Sequence, residues 1–441
     1  MTRARPWARP TLLLVIGGVL LPNALFFALD TVLALPERAS ALCLYAAVAL
    51  LCGWTPPALV TGLYLAVLAT DLWLIVAQMF FLDIGALAGW LRMVPELDLL
   101  ASPLYGVMIG TIGILAAANL AFLGRHAAAM AAGSRPALIG ALLAVLGADI
   151  LLDRSPGSAA PWAGLAQPFE SAVERSDFAA VARNPGRSRH VLLVLVESLG
   201  VLRDRQAQAL LLSPFDDPAL ARQFTVRTGT TTFFGATAHG EMRELCQSRE
   251  PYRAVLAGGH PGCLPEAFAA HGFRTVSVHG FSQTFYERKR WYPLIGFVRS
   301  VFQENLGKPY RRCGGTFAGP CDVDLAETIR TRMAEAEQPL FVYWLTLNSH
   351  VPVKPGQATR RFGCETGGPF GDAEVCTMAE IWLDLFDAIK RIARDNPDAE
   401  ILLAGDHAPP LWRRSSRELF EPDRVQWIRL SPRPITTAAG P

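Results

Sequence analysis

The sequence predicts an α-helical membrane domain followed by an α/β domain with a mainly parallel sheet and helices on both faces. Three observations predict it. Apolar runs crowd into residues 11–152, whereas 188–441 have ordinary globular composition. In the second half, short apolar runs of buried-strand type alternate with helix-like segments. Four of those runs end in a residue capable of chemistry.

The chain has 441 residues, of which 51% are hydrophobic. A net charge of +2 says little about partners, and the lack of a basic stripe interleaved with aromatics argues against a nucleic-acid partner. Residues 1–152 form the expected transmembrane domain, 153–187 a linker rich in Pro, Ser, Ala and Gly, and 188–441 the α/β domain.

A bilayer core takes about 20 apolar residues per helix. Five spans fit, at roughly 11–33, 40–54, 57–81, 102–123 and 136–152, the second and fifth being short. Arg3, Arg5 and Arg9 ahead of the first span, and Arg125 and Arg135 between the last two, belong on the cytoplasmic side. Five spans then put the α/β domain outside. The first span reads as a retained anchor rather than a cleaved signal peptide, because the apolar run is long and four more follow. Residues 82–101, with Trp90, read equally as a short interfacial helix or a plain loop. Asp71 falls near the middle of the third span, where a carboxylate is costly; we expect it to pair within the bundle.

Six of the eight cysteines lie in the second half, in three sequence-local pairs: Cys246 and Cys263, Cys313 and Cys321, Cys364 and Cys376. An even, clustered set reads as disulfides in an oxidising compartment, and neighbour pairing is the simplest of about 15 connectivities. A zinc cluster would show CxxC spacing or neighbouring His pairs.

The strand-like runs are His190–Glu197, Arg274–Gly280, Leu340–His350 and Glu400–His407. Segments 264–271, 322–336 and 376–394 between them read as helices. Ligands of open α/β sheets bind beyond the carboxyl ends of the strands. Glu197, His279, His350 and the pair Asp406-His407 therefore converge on one edge.

Glu197, Asp406 and His407 offer the oxygen and imidazole ligands that suit Zn or Mn. Thr237, in "GATAHGEMRELC", sits between small residues at the apparent start of a helix. Its hydroxyl is a candidate fourth ligand and nucleophile, because a divalent cation lowers the hydroxyl pKa. A helix N-terminus beneath it favours an anionic group such as phosphate. The plainer reading of Thr237 is an N-cap, with the helix beginning at Gly240 and Glu241.

Taken in order, the chain shows a strand ending in Glu, then G-x-T-x-x-x-E, HG-x-x-x-x-F-Y-x-R, T-L-x-S-H and GDH. This resembles the metal-dependent phospholipid head-group transferases of the alkaline phosphatase superfamily, sulfatase-like in fold. These are the lipoteichoic acid synthases, phosphoglycerol transferases and lipid A phosphoethanolamine transferases. The resemblance covers about 190–412, and five membrane helices ahead of the domain agree with it. It implies one divalent cation, Zn or Mn, held by Glu197, Thr237, Asp406 and His407. It implies that Thr237 takes the phospho-head group covalently, and that His350 contacts the transferred phosphate or protonates the leaving group. His279, Tyr286 and Arg288 match residues lining a head-group pocket, the planar Arg fork fitting phosphate. The implied partners are a phospholipid donor and a lipid A, glycan or other envelope acceptor. The implied location is the bacterial inner membrane, with the catalytic domain periplasmic or extracellular.

Three departures bear on substrate. The first strand ends "VESLG" rather than GES-x-R, which leans toward the phosphoglycerol or lipoteichoic type; the cysteine-rich loops lean toward phosphoethanolamine. No His follows His407, so one candidate ligand for a second metal is missing. Thr237 lacks the C/S-x-P-x-R setting that sulfatases use to make formylglycine. A phosphodiesterase, a phosphatase or a sulfatase-type hydrolase remains the alternative activity.

Overall fold

A computed structural model of the chain describes residues 8–152, 168–186, 188–258, 262–307 and 309–433. Arg3, Arg5 and residues 153–167 and 187 of the expected linker lie outside the described residues. The chain divides into two compact units. One comprises Met1–Leu87, Ser102–Ala159 and Trp412–Arg414; the other comprises Ala88–Ala101, Ala160–Leu411 and Ser415–Pro441.

The first unit is helical. Arg9–Leu29, Pro57–Met79 and Pro103–Ala131 are long and apolar enough to cross a membrane, at 21, 23 and 29 residues. Ala39–Leu51 and Arg135–Ala148 are apolar but shorter. The five expected spans are thus five helices, of which three meet the length. At ~1.5 Å per residue the Ala39–Leu51 helix reaches only about two thirds of a ~30 Å core. Asp71 is paired, as expected: Arg38 Nε donates to its Oδ1 at 3.0 Å, and the Tyr45 hydroxyl to its Oδ2 at 3.3 Å. The guanidinium of Arg38 also lies 3.5 Å over the Phe26 ring. A buried carboxylate in this apolar setting is thereby neutralised in place.

The second unit is built on one eight-stranded sheet. Its strands are β1 (His190–Val196), β2 (Gly200–Leu202), β3 (Phe224–Thr232), β4 (Arg274–His279), β5 (Arg299–Val301), β8 (Leu340–Leu345), β9 (Glu400–Gly405) and β10 (Phe420–Pro432). Between β5 and β8, β6 (Arg312–Cys313) and β7 (Gly319–Pro320) form a separate two-stranded ribbon. The order is β2-β10-β9-β1-β8-β4-β5, with β3 on β10. From β9 to β5 the pairing is parallel, and β10 runs antiparallel to β9, β2 and β3.

The central strands are apolar on both sides because both faces are covered. β1 is buried along its full length. Val191, Leu193 and Leu195 share a core with Met242, Leu245 and Phe268 from the helices Thr237–Cys246 and Leu264–Ala270. On the other face Ile329, from the helix Asp322–Glu335, faces Val276 and Val342.

Four strands escaped the periodicity argument. β3 is rich in Thr and partly exposed, β10 carries charges and two prolines, and β2 and β5 have three residues each. They sit toward the edges of the sheet or bind across them, where no continuous apolar run is needed. The cysteines pair as neighbours: Cys246–Cys263, Cys313–Cys321 and Cys364–Cys376.

Residues 84–101 hold the short helix Leu87–Met93 and three 3-10 turns, which settles the loop alternative. From residue 88 this segment belongs to the second unit. Trp90 packs edge-on against Tyr286 and Phe285, with ring centroids 5.2 and 6.0 Å away, and Met93 joins the core. Trp90 and Met93 thus turn toward protein, while Leu91 and Leu100 are exposed at 62% and 79%.

Candidate metal centre

β1 ends at Val196, and the chain turns sharply through Glu197 and Ser198, the latter in the left-handed region at φ 58°. That turn aims the Ser198 N–H at Asp406 Oδ1, 2.7 Å away, across to the neighbouring strand end. β9 lies beside β1 in parallel, with Val196 opposite Gly405. Glu197 and Asp406-His407 thus become neighbours by strand pairing alone. One ligand atom from each of Glu197, Asp406 and His407 lies within 4.8 Å of the others, and all three residues are buried.

Surrounding bonds orient each ligand. Glu197 donates its N–H to Thr346 Oγ1 at 2.9 Å, while its carbonyl accepts from Ser349 Oγ at 2.7 Å. Asp406 Oδ1 also accepts from the His407 N–H at 2.7 Å. His407 Nδ1 bonds the Ala408 carbonyl at 3.0 Å, which makes Nδ1 the protonated nitrogen and leaves the Nε2 lone pair facing the carboxylates.

Thr237 enters from the other side. Its Oγ1 lies 3.5 Å from Glu197 Oε2 and 3.4 Å from His407 Nε2. The N-cap reading fails: Ala236 is the cap residue, Thr237 is the first helical residue, and no side chain caps the helix. The helix begins three residues earlier than Gly240. Two glycines allow the approach. Gly235 turns at φ +65°, and a Cβ on Gly240 would stand 2.9 Å from Asp406 Cβ and 3.0 Å from its Cα.

The donor set fits a divalent cation. Burial, and then the neighbouring Asp406 charge, hold the Glu197 carboxyl well above the usual carboxylate range. Asp406 Oδ2 is buried with no hydrogen-bond donor. Two crowded carboxylates with an orphaned oxygen beside an imidazole lone pair need a positive charge among them.

The remaining predicted residues lie at or beyond the carboxyl ends of β4 and β8, which pair in parallel with each other, β8 also pairing in parallel with β1. His279, the last residue of β4, is buried, and its Nδ1 donates to the Leu345 carbonyl at 3.1 Å. Burial, and next the Arg288 charge, push its pKa well below the ordinary value, so it is neutral with Nε2 as acceptor. Tyr286 stands at φ 55° beneath Trp90, with the Arg288 guanidinium 5.0 Å from its ring. Burial pushes its hydroxyl pKa well up.

His350 donates Nδ1 to the Val351 carbonyl at 2.8 Å and lies against Phe317, ring centroids 3.8 Å apart. Its desolvated setting, with His407 adding, pushes its pKa down to about 4. A neutral imidazole with its proton committed to a carbonyl is a base or acceptor. That geometry disfavours the expected role of protonating a leaving group.

Arg288 departs from expectation more plainly. It is not a free fork: the side chain is buried, and Nε and Nη2 donate to Glu241 Oε2 at 3.1 and 2.9 Å. The hydroxyls of Tyr292 and Tyr343 also donate to Glu241 Oε1. Desolvating a guanidinium requires a paired carboxylate, and Glu241 supplies it. Arg288 still acts on the site at longer range, opposing the upward shift of Glu197 and adding to the downward shift of His279.

Sequence reasoning missed Glu241 and Arg243 as site residues. Four residues after Thr237 on the same helix, Glu241 shares its face, which was the available signal. Arg243 bonds backbone carbonyls, which sequence does not reveal.

Residues 189–375 match the sulfatase family. The α/β unit has the fold of the alkaline phosphatase superfamily, the class that the ordered motifs indicated. More particularly, the chain is similar in fold along most of its length to the integral membrane lipooligosaccharide phosphoethanolamine transferase A of Neisseria meningitidis. That match has 15% identity, a TM-score of 0.54, and coverage of 96% of this chain and 88% of that one. A lipoteichoic acid synthase of Listeria monocytogenes matches at 16% identity and TM-score 0.44, over 56% of this chain. This chain spans 66% of that synthase structure. A phosphoglycerol transferase of Streptococcus pyogenes matches at 15% identity and TM-score 0.37, over 59% of this chain and 77% of that one. No curated protein matches the sequence significantly.

Proposed function

We propose that the protein is a membrane-anchored, metal-dependent transferase. It moves a phospho-head group, phosphoethanolamine or phosphoglycerol, from a phospholipid to an envelope acceptor through a phosphothreonine at Thr237. The observation that carries the reading is the Thr237 hydroxyl, 3.5 Å from Glu197 and 3.4 Å from His407, at a helix start. Residues 1–152 would anchor the chain in the bacterial inner membrane, 153–187 would link, and 188–441 would work on the outer side. A lipid A or glycan group is the acceptor class.

Glu197, Asp406 and His407, with Thr237, would hold one divalent cation, Zn or Mn. The cation supplies positive charge that acidifies the hydroxyl and offsets charge gathering on phosphate oxygens. In the first step Thr237 Oγ1 bonds to phosphorus, the bond from phosphorus to the diacylglycerol oxygen breaks, and that oxygen gains the proton that the threonine loses. In the second step the acceptor oxygen bonds to phosphorus, and Thr237 leaves and regains a proton. The helix N-terminus favours the anion that Thr237 carries between the steps. His350, neutral with Nε2 free of its own proton, would accept a hydrogen bond from the acceptor hydroxyl. The Arg288–Glu241 pair positions the loop that carries Tyr286 and tunes His279 from behind. A sulfatase-type fold with threonine at 237 has no route to formylglycine, so phosphate chemistry is favoured over sulfate.

The test is mass spectrometry of the full-length protein after incubation with Zn or Mn and either phosphatidylethanolamine or phosphatidylglycerol in bilayer discs. The expected result is an adduct on the Thr237 peptide whose mass names the head group, absent in Thr237→Ala. Turnover with an unmodified Thr237, or full turnover by Thr237→Ala, defeats the proposal.

A further inference from the structure

On the face of the sheet covered by the helix Asp322–Glu335 lies a cavity of about 220 Å³, remote from the metal centre. Beside it β5 has only three residues, paired with Val276–Val278 of β4. Arg274 and Leu340 open their strands and stand opposite each other in register. The metal-centre residues instead follow the last residues of β1 and β9. At ~3.3 Å per residue, the length of β4 puts about 17 Å between Arg274 and His279.

Alternation along β4 sends Arg274, Val276 and Val278 to this face, and Arg299 pairs beside Val276. From the helix, the three-residue spacing of Ile329, Arg332 and Glu335 turns them to the same side. The cavity thus has an aliphatic floor of Val276, Val278, Ile329, Leu340 and Val342, and a rim of three arginines with one glutamate. Three positive charges less one negative leave a rim of +2.

Nearby arginines find carboxylates. Arg330 pairs with Glu327 at 2.6 Å, and Arg311 with Asp324 at 2.7 Å. Among the described residues, no carboxylate reaches ion-pair distance of Arg274, Arg299 or Arg332. Burial first, and then Arg299 and Arg274, push the Arg332 guanidinium pKa down, while Tyr310 opposes this. Three cations converging over apolar carbon without a counter-charge are complementary to an anion that brings carbon with it.

We infer that this cavity is a second ligand site, which takes a small phosphate or carboxylate carried on a short aliphatic stem, the anion held by Arg274, Arg299 and Arg332 and the stem lying on the valine floor. At about 30 Å³ per water, the volume equals about seven waters, room for one anionic group and a few carbons. The inference stands on residues outside the metal centre and does not depend on the proposed transfer reaction.

Calorimetry on the full-length protein in zwitterionic bilayer discs tests it, with butyl phosphate, butyrate, inorganic phosphate and formate as probes. The two butyl probes distinguish a phosphate from a carboxylate ligand. We expect at least one of them to bind tenfold or more tightly than its stemless counterpart, phosphate or formate, with affinity falling as salt rises. Arg332→Gln and, separately, the more exposed Arg299→Gln should each lower that affinity about tenfold with unchanged melting temperature, while Asp406→Asn leaves it intact. Equal binding of stemmed and stemless anions overturns the inference. So does binding that survives both arginine variants, or binding that disappears in Asp406→Asn.

Discussion

Arg243 donates from Nη1 to the main-chain carbonyl of Asp406 at 3.0 Å, and from Nη2 to that of Gly405 at 2.6 Å. Its Nε reaches Glu244 at 2.7 Å, and Glu244 in turn accepts the N–H groups of Ala172 and Val173. The helix that presents Thr237 is thereby hooked to the strand end that presents Asp406 and His407. Fixing these two elements against each other sets the distance between nucleophile and ligands.

Replacing Arg243 with Leu should strand two carbonyls and the Glu244 charge in a dry interior. The expected cost is ~3–5 kcal/mol of stability, the range for a buried pair broken on one side. Arg243→Lys, which cannot reach both carbonyls and Glu244 with one planar fork, should keep more stability yet weaken Zn or Mn affinity about 10–100-fold. Urea melts and metal titrations would check both; unchanged metal affinity in a folded Lys variant would mean the hook does not set the site.

Glu241 and Arg288 should behave as one unit. Glu241→Gln leaves a buried guanidinium without its counter-charge and should destabilise by ~3–5 kcal/mol. The double variant Glu241→Gln with Arg288→Met should recover part of that loss. Their coupling, read from a double-mutant cycle, is expected to exceed ~1 kcal/mol; additive losses would argue that each residue acts alone.

Removal of metal should both inactivate and soften the protein. A cation present at about 100 times its Kd stabilises by ~2.7 kcal/mol, so a chelator should lower the melting temperature by several degrees. Asp406→Asn should lose the metal-dependent part of that stability. If the variant still gained the full increment on adding Zn or Mn, Asp406 would not be a ligand.

Asp322 gives a pH signature outside the metal centre. It is buried at the start of its helix, and its Oδ2 accepts the N–H groups of Leu347 and Asn348 at 3.0 and 2.8 Å. Burial, opposed by those two bonds, raises its pKa from 3.8 to about 6. The folded state therefore holds this proton more tightly than the unfolded chain. The resulting stabilisation is fully present below about pH 3.8 and is lost as pH rises through about 6. At ~1.4 kcal/mol per pH unit the swing is about 3 kcal/mol. Asp322→Asn keeps an acceptor and cannot ionise, so stability relative to wild type should rise by about that amount between pH 4 and 7. A flat difference across that range would show that Asp322 does not titrate this way.

Much of this protein is legible in its sequence, because burial on both faces leaves β1, β4, β8 and β9 as near-continuous apolar runs. Where each run stops, a polar residue marks the carboxyl end, so Glu197, His279 and Asp406-His407 announce a common edge without coordinates. The cysteine pairs are legible for a similar reason, since short loops bring sequence neighbours together. Tertiary structure alone decided what lies across the sheet. That β9 rather than another strand flanks β1, that Glu241 claims the Arg288 fork, and that Trp90 covers Tyr286 depend on contacts between distant segments. Such contacts leave no period in the sequence: a buried ion pair and an exposed one are spelled with the same letters, and desolvation, which separates them, arises only when the layers close.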